Sequence, residues 1–407
     1  MHKEDFAATP VPKDKRQSAW AVTAVWLGFI IVVGTMAAGG GLAAQAKFSD
    51  ILLGILVGNI ILGCFALLSG WVGAHSGMSF YQLGEKVFGT VSMRLVGLYV
   101  PIILVGWFGI ESAILGGFLG KVLGLSEMLQ RTLMFVSAGV MATSAYVGFK
   151  ALKNLSYILL PIIFTLGAFA IFQTDLSGLE ARQVFIGEPV GFLYVASIVV
   201  STWIMGVLLN FPDVARFAKT PLQGAFIGFG GIVLGNIFNL LIGAVAAINT
   251  GAFDPSEILL GLGFVPLAIL LAVANIWTTN DNNLYSATLG VSRSLRIPRY
   301  AAVILSGGIG AIFAAFNPAT IGSIFTILIA VGSTAPALGG VVLGSYMYDH
   351  VHTAVSPAPA LAWLGWIAGS TAGILLGGLT GILAGFAVGA LFVSLGRELQ
   401  VHTFKAA

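Results

Sequence analysis

Residues 275–283 read Asn-Ile-Trp-Thr-Thr-Asn-Asp-Asn-Asn, a stretch too polar to face lipid although it sits inside an apolar run. At 3.6 residues per turn, Asn275, Thr278, Thr279 and Asn282 share one stripe of a helix, and Asn280 lies about 140° from Asn275. Two adjacent threonines offer hydroxyl oxygens. Hard cations such as sodium take oxygen ligands of this kind, and unwound backbone supplies more of them. The competing reading is that these side chains hydrogen-bond one helix to the next, but so dense a run argues for more than that. A second cluster is Gly106-Trp107-Phe108-Gly109-Ile110-Glu111-Ser112. Glu111 is an acid deep in an apolar run, where a charge costs about 2.5–3.5 kcal/mol on insertion scales and marks function by default. Trp107 precedes it by four residues, on the same helical face. An indole beside a hydrogen-bonding carboxyl suits a flat polar heterocycle, whose ring stacks while its edge finds donors and acceptors. Trp203 is placed to close a sandwich from another helix. Taken alone, each tryptophan fits a packing role equally well.

The elements that must position these residues follow from composition. The chain has 407 residues, 57% hydrophobic and only 9% charged, with mean hydropathy +0.98; a soluble domain carries about 25% charged residues. That excludes a soluble enzyme, a nucleic-acid binder and a disordered protein. The single cysteine, Cys64, excludes a disulfide framework, and five scattered histidines give no zinc pattern. No HExxH, nucleophile elbow or nucleotide loop occurs, so an enzyme is not expected; neither is the repeated filter of a channel.

A membrane-spanning helix needs about 20 mostly apolar residues. Such runs cover roughly 19–45, 50–74, 95–120, 130–149, 154–174, 190–212, 222–249, 263–289, 300–316, 320–345, 360–377 and 379–396, about twelve in all. Residues 78–92 read as a short interfacial helix. With a cytoplasmic N-terminus, the inner segments hold fifteen of the 19 Lys and Arg residues, and the outer loops only Lys47, Lys121, Arg131 and Arg182. That asymmetry is the positive-inside pattern, and it places both termini in the cytoplasm.

Two runs carry break signals: Gly34-Thr35-Met36-Ala37-Ala38-Gly39-Gly40-Gly41 near the middle of the first, and Gly206 followed by Asn210-Phe211-Pro212 in the sixth. Discontinuous helices in corresponding positions of two halves point to a transporter's midplane site. Runs one and six lie five apart, which suggests two inverted repeats of five helices. The expected architecture is an all-α polytopic membrane protein: a cytoplasmic segment 1–18, a first repeat 19–174, a second repeat 190–345, two further helices over 360–396 and a cytoplasmic tail 397–407. Asp213 and Arg216, after run six, read as an inner-end ion pair or gate. Asp281 reads as a third-shell acid, a proton site or a structural group.

Taken together, NIWTTNDNNLY (Asn275–Tyr285), the GWFG motif (Gly106–Gly109), the N-terminal PVP (Pro10–Pro12) and DVARF (Asp213–Phe217) resemble the nucleobase–cation symporter family, in its cytosine permease branch. The likeness covers nearly the whole chain, and NIWTTND is its most specific part. The resemblance implies a five-plus-five inverted-repeat fold with two extra helices, in a bacterial inner membrane, and alternating access around a site between spans one, three, six and eight. It implies a sodium ion held by the carbonyls of Gly28, Ile31 and Asn275 and the hydroxyls of Thr278 and Thr279. It also implies Trp107 and Trp203 as the aromatic sandwich, with Asn275 and Asn280 reading the base edge beside Glu111. The partners implied are a nucleobase and the bilayer, with no nucleic acid and no obligatory protein.

Two departures bear on specificity. Relatives in that branch carry a glutamine three residues before the span-three tryptophan, where this chain has Leu104, and a small residue where it has Glu111. A hydantoin-transporting relative carries glutamine at the Glu111 position. The resemblance therefore points first to sodium-coupled import of cytosine or a related pyrimidine. A proton-coupled permease, a purine or hydroxymethylpyrimidine permease, and an amine or amino-acid transporter of the same fold stay open.

Overall fold

The computed structural model describes residue 6 and residues 9–147, 149–318, 321–352 and 358–406. The helices in order are α1 (Ala19–Ile30), α2 (Val33–Ala43), α3 (Phe48–Ser76), α4 (Phe80–Val96), α5 (Tyr99–Val122), α6 (Glu127–Val147), α7 (Phe149–Phe172), α8 (Phe192–Met205), α9 (Phe211–Ala215), α10 (Pro221–Thr250), α11 (Pro255–Gly261), α12 (Val265–Leu295), α13 (Arg299–Ala315), α14 (Ile321–Val351), α15 (Pro359–Leu376) and α16 (Gly378–Ala406). Every apolar run of the sequence falls on a helix or a helix pair. Among the described residues, eight spans are long and apolar enough to cross a bilayer, one of them the stretch Phe192–Ala215. The pairs α1 with α2 and α12 with α13 also pass together, bent by 48° and 117°. The polar run of α12 lowers its hydropathy, and α13 is only 17 residues long. The last two runs divide at Gly377, whose φ of 61° lies in the left-handed region that glycine tolerates.

The break in the first run is real. Ile31 and Val32 are extended, with φ/ψ of −73/96 and −143/136. The sixth run differs from expectation. It does not unwind; Gly206–Asn210 forms a π-helical turn between α8 and α9, in which the Phe211 N–H donates to the Gly206 carbonyl five residues back. Helical dihedrals persist through it, so the backbone remains internally bonded while the register shifts by one residue. The expected interfacial helix is α4, started by a reciprocal Ser79–Gln82 capping box and interrupted at Gly89.

The two ends of the bundle are fastened differently. At one end the N-terminal segment lies across the helix ends: Val11 N–H donates to Gly77, Gln17 N–H to Phe217, and the Arg16 guanidinium to the Ala74 and Ala218 carbonyls. Asp213 and Arg216 belong to this end. The Asp213 carboxylate accepts from the Phe80 N–H, and Arg216 donates to the Phe6 carbonyl. At the other end, Gln183 fastens the loop after α7 over the α2–α3 link, accepting from the Phe48 N–H and donating to the Ala43 and Ala46 carbonyls.

The core is built on small residues that bring backbones together. A methyl at Gly243 of α10 would lie 1.9 Å from the Met36 carbonyl oxygen of α2, and one at Gly39 would lie 2.2 Å from that of Leu240. Both contacts are with backbone, which cannot yield. Gly243→Val should therefore separate α2 from α10. The expected outcome is failure to yield monodisperse protein, or a melting temperature lower by several degrees, measured by size-exclusion chromatography and thermal unfolding; unchanged values would show that the contact is not required.

Candidate substrate and ion site

The two-residue break between α1 and α2 leaves backbone groups that α1 and α2 cannot satisfy themselves. Neighbouring helices supply the partners. From α12, the Thr279 hydroxyl donates to the Ile31 carbonyl at 3.2 Å. From α10, the Asn239 amide donates to the Ile30 carbonyl at 2.6 Å. From α5, Glu111 Oε1 accepts the Gly34 N–H at 2.9 Å. Val32, the residue before α2, offers no side-chain cap, so a carboxyl from another helix takes that place, where the helix dipole favours negative charge. Gly34 must be glycine for this: a methyl there would lie 2.5 Å from Glu111 Oε1 and 3.2 Å from the Trp107 ring.

The oxygens expected to hold a cation converge at this break. Thr278 Oγ1 lies 2.9 Å and Thr279 Oγ1 3.3 Å from the Asn275 carbonyl, and Thr279 bridges from there to Ile31. Gly28 lies one turn earlier on α1, its position 3.9 Å from Thr278 Cβ if a methyl is added. Two hydroxyls and two carbonyls of different helices thus meet at one point, all buried. A hard monovalent cation suits such a donor set.

Beside this point is a cavity lined by Trp107 and Glu111 of α5, Trp203 of α8, and Thr279 of α12. Thr279 thus belongs to both the oxygen cluster and the cavity wall. Trp203 is held by its indole N–H, which donates to Thr35 Oγ1 at 3.0 Å, and by perpendicular contact with Phe29 at 5.2 Å between ring centroids. Trp26 lies behind it at 6.0 Å. Gly206 permits this pose, because a methyl there would lie 2.5 Å from the Trp203 ring. Glu111 is wholly buried, and its Oε2 has no protein partner. Leu104 lies in the wall, where an apolar side chain offers no hydrogen bond.

The asparagines distribute differently. The Asn280 amide donates to the Phe108 carbonyl and Ser112 hydroxyl of α5, at 3.2 and 3.0 Å, and does not line the cavity. Asn275 contributes its carbonyl to the oxygen cluster, while its buried carboxamide has no protein partner and also lies off the cavity wall. Asn210 and Asn283 do line it. Asn283 follows Thr279 by four residues, on the same helical face, and Asn210 ends the π turn; both signals stood in the sequence. Asp281 lies on another side of α12, with Ser144 and Arg299 as its electrostatic neighbours.

The sequence profile described as "Permease for cytosine/purines, uracil, thiamine, allantoin" matches residues 10–359. The cytosine permease of Escherichia coli K12 is 29% identical over 389 residues, covering 93% of this chain and 91% of that protein. Among solved structures, Mhp1, a nucleobase-cation-symport-1 family transporter in a closed conformation with bromovinylhydantoin bound, superposes with TM-score 0.82 at 17% identity, covering 99% of this chain and 96% of the other. A Na+-coupled sialic acid symporter in a substrate-bound outward-open state superposes with TM-score 0.68 at 13% identity, covering 97% and 91%. The fold is that of these transporters. The chain is a multi-pass membrane permease, not an enzyme, and belongs to the family of permeases for cytosine/purines, uracil, thiamine and allantoin.

Proposed function

We propose that this chain imports a nucleobase together with sodium by alternating access, across a bacterial inner membrane with both termini in the cytoplasm. The observation that carries the reading is the shared wall: the oxygens of Ile31, Asn275, Thr278 and Thr279 meet at the helix break, and Thr279 also lines the cavity between Trp107, Trp203 and Glu111. The carbonyl of Gly28 completes the cation's ligand set. The base stacks on the two indoles, and an N–H of its edge donates to Glu111 Oε2. Cytosine or a related pyrimidine is the first candidate, because the E. coli relatives are named for cytosine. Leu104 and Glu111 set this pocket apart from theirs, and Asn275 and Asn280 act by shaping α12 against its neighbours as well as through any contact with the base.

Coupling follows from where the cation binds. Its ligands come from α1 on one side and α12 on the other, so occupancy favours conformations in which these helices stay together. A cation with equal affinity for every state would shift nothing. The charge asymmetry of the loops supports the orientation, and the low cytoplasmic sodium then drives release inward.

Thr279→Ala removes one ligand oxygen. The sodium concentration for half-maximal uptake should rise about tenfold or more, equivalent to roughly 1.4 kcal/mol of lost binding. The sodium-dependent part of base-induced thermal stabilisation should shrink in parallel. An unchanged sodium dependence would remove Thr279 from the ion site. Uptake driven by a pH gradient without sodium would replace the cation by a proton.

Glu111 needs two variants, since it both caps α2 and faces the cavity. Glu111→Gln keeps an oxygen for the Gly34 N–H but loses the charge, so the protein should fold while base affinity drops about tenfold or more. Glu111→Ala loses the cap as well and should also lower the melting temperature. If Glu111→Gln binds every base as the parent does, Glu111 is a helix cap only.

A further inference from the structure

Two buried polar side chains on the cavity wall, Glu111 and Asn210, keep atoms without a protein partner, and only Glu111 has so far been given a role. Asn210 is wholly buried, lines the cavity, and neither its Nδ2 nor its Oδ1 has a hydrogen-bond partner. A buried carboxamide left unmatched is costly, and native proteins seldom keep one without water or a ligand to satisfy it. Asn210 closes the π turn of Gly206–Asn210, seven residues after Trp203, and lines the same cavity as that indole. Such turns cluster at functional sites. Asn283, 3% exposed, comes to the same cavity from α12, one turn beyond the cation-binding Thr279. The rest of the wall combines apolar Leu104, Phe29, Leu328 and Val331 with Ser201 and Thr202, whose hydroxyls donate to α8 carbonyls.

We infer that Asn210 and Asn283 form a second recognition edge that reads a ring carbonyl of the transported base, so that the substrate is an amino-oxo heterocycle with polar groups on two edges. This rests on the reading of the cavity as a base site. Its chemistry is complementary to that of Glu111. A carboxylate only accepts hydrogen bonds, whereas each carboxamide offers two N–H donors and an acceptor. A base that donates N–H to Glu111 therefore presents its carbonyl oxygen to an Asn210 or Asn283 N–H, and a neighbouring ring N–H to an amide oxygen. The groups enter from three separate elements, α5, the π turn and α12, and so address the ligand from different directions around the stacked ring. A site built around such pairs rejects an analogue lacking the partner far more strongly than an apolar wall does.

The test pairs ligand deletions with side-chain deletions, using purified protein at saturating sodium and thermal stabilisation titrated with each ligand. The probes are cytosine against 4-aminopyrimidine, which lacks the carbonyl, and guanine against 2-aminopurine, which likewise lacks it. The parent protein should bind the carbonyl-bearing member of at least one pair about tenfold or more tightly than its partner. Asn210→Leu and Asn283→Leu, close in volume but without hydrogen bonds, should weaken that member about tenfold and leave the carbonyl-free analogue nearly unchanged, so that discrimination collapses. Equal weakening of both members, or unchanged affinity for the carbonyl-bearing base, overturns the inference while the base site stands. The parent protein alone also decides: equal affinity within the pair it binds overturns it without any variant, should a leucine variant fail to fold. If no base stabilises the parent protein, the reading of the cavity as a base site falls, and this inference with it.

Discussion

Two extended residues, Ile31 and Val32, organise the site. Inside a bilayer there is no water to satisfy a broken helix, and each orphaned backbone group costs several kcal/mol. The break persists because three other helices complete it: α12 through Thr279, α10 through Asn239 and α5 through Glu111. These same side chains, or their immediate neighbours, carry the chemistry. The Ile31 carbonyl freed by the break is met by the Thr279 hydroxyl, and under the proposed coupling the same two oxygens are ligands of the cation.

This arrangement explains why the cation cluster and the cavity adjoin. Both are consequences of one interruption in α1–α2. The indoles follow from it too. Trp203 is oriented by the hydroxyl of Thr35, which lies one residue beyond Gly34 and inside the first turns of α2. Trp107 approaches the break because Gly34 has no side chain. Displacing α2 would thus move the cap and the indole anchor together, as the proposed transport cycle requires of it.

How much of this was legible in the sequence depends on whether the feature is an anomaly against lipid. The helices were legible because apolar runs of spanning length have no other use, and Glu111 and the α12 run were legible because polar groups are rare there. Backbone carbonyls were not, since any residue type supplies one; Gly28 and Ile31 entered only through family resemblance. The helical stripe gave relative angles on α12 but not the direction of the cavity. Asn280, about 140° from Asn275, turned out to face α5, where its amide is spent on Phe108 and Ser112, while Asn283 took the place at the wall. The Gly206–Pro212 segment was correctly seen as irregular. Its form, a π turn rather than an unwound break, depends on packing against Trp203 that no local pattern records.

Glu111 joins the cap to the pocket within a single carboxyl group. Oε1 holds the first turn of α2, and Oε2 faces the cavity. Hydrogen bonding at one oxygen of a carboxylate draws charge from the other, so a base that donates to Oε2 weakens the bond from Gly34, whereas departure of the base strengthens it. On the proposed reading, occupancy of the pocket is thereby felt at the start of α2, two residues from the extended link that carries the Ile31 carbonyl. A glutamine three residues before Trp107 would lie about two turns along α5 from position 111, which meets Gly34. With leucine at 104 and a carboxyl at 111, the acidic group of the cavity wall is also the one that accepts from the first turn of α2.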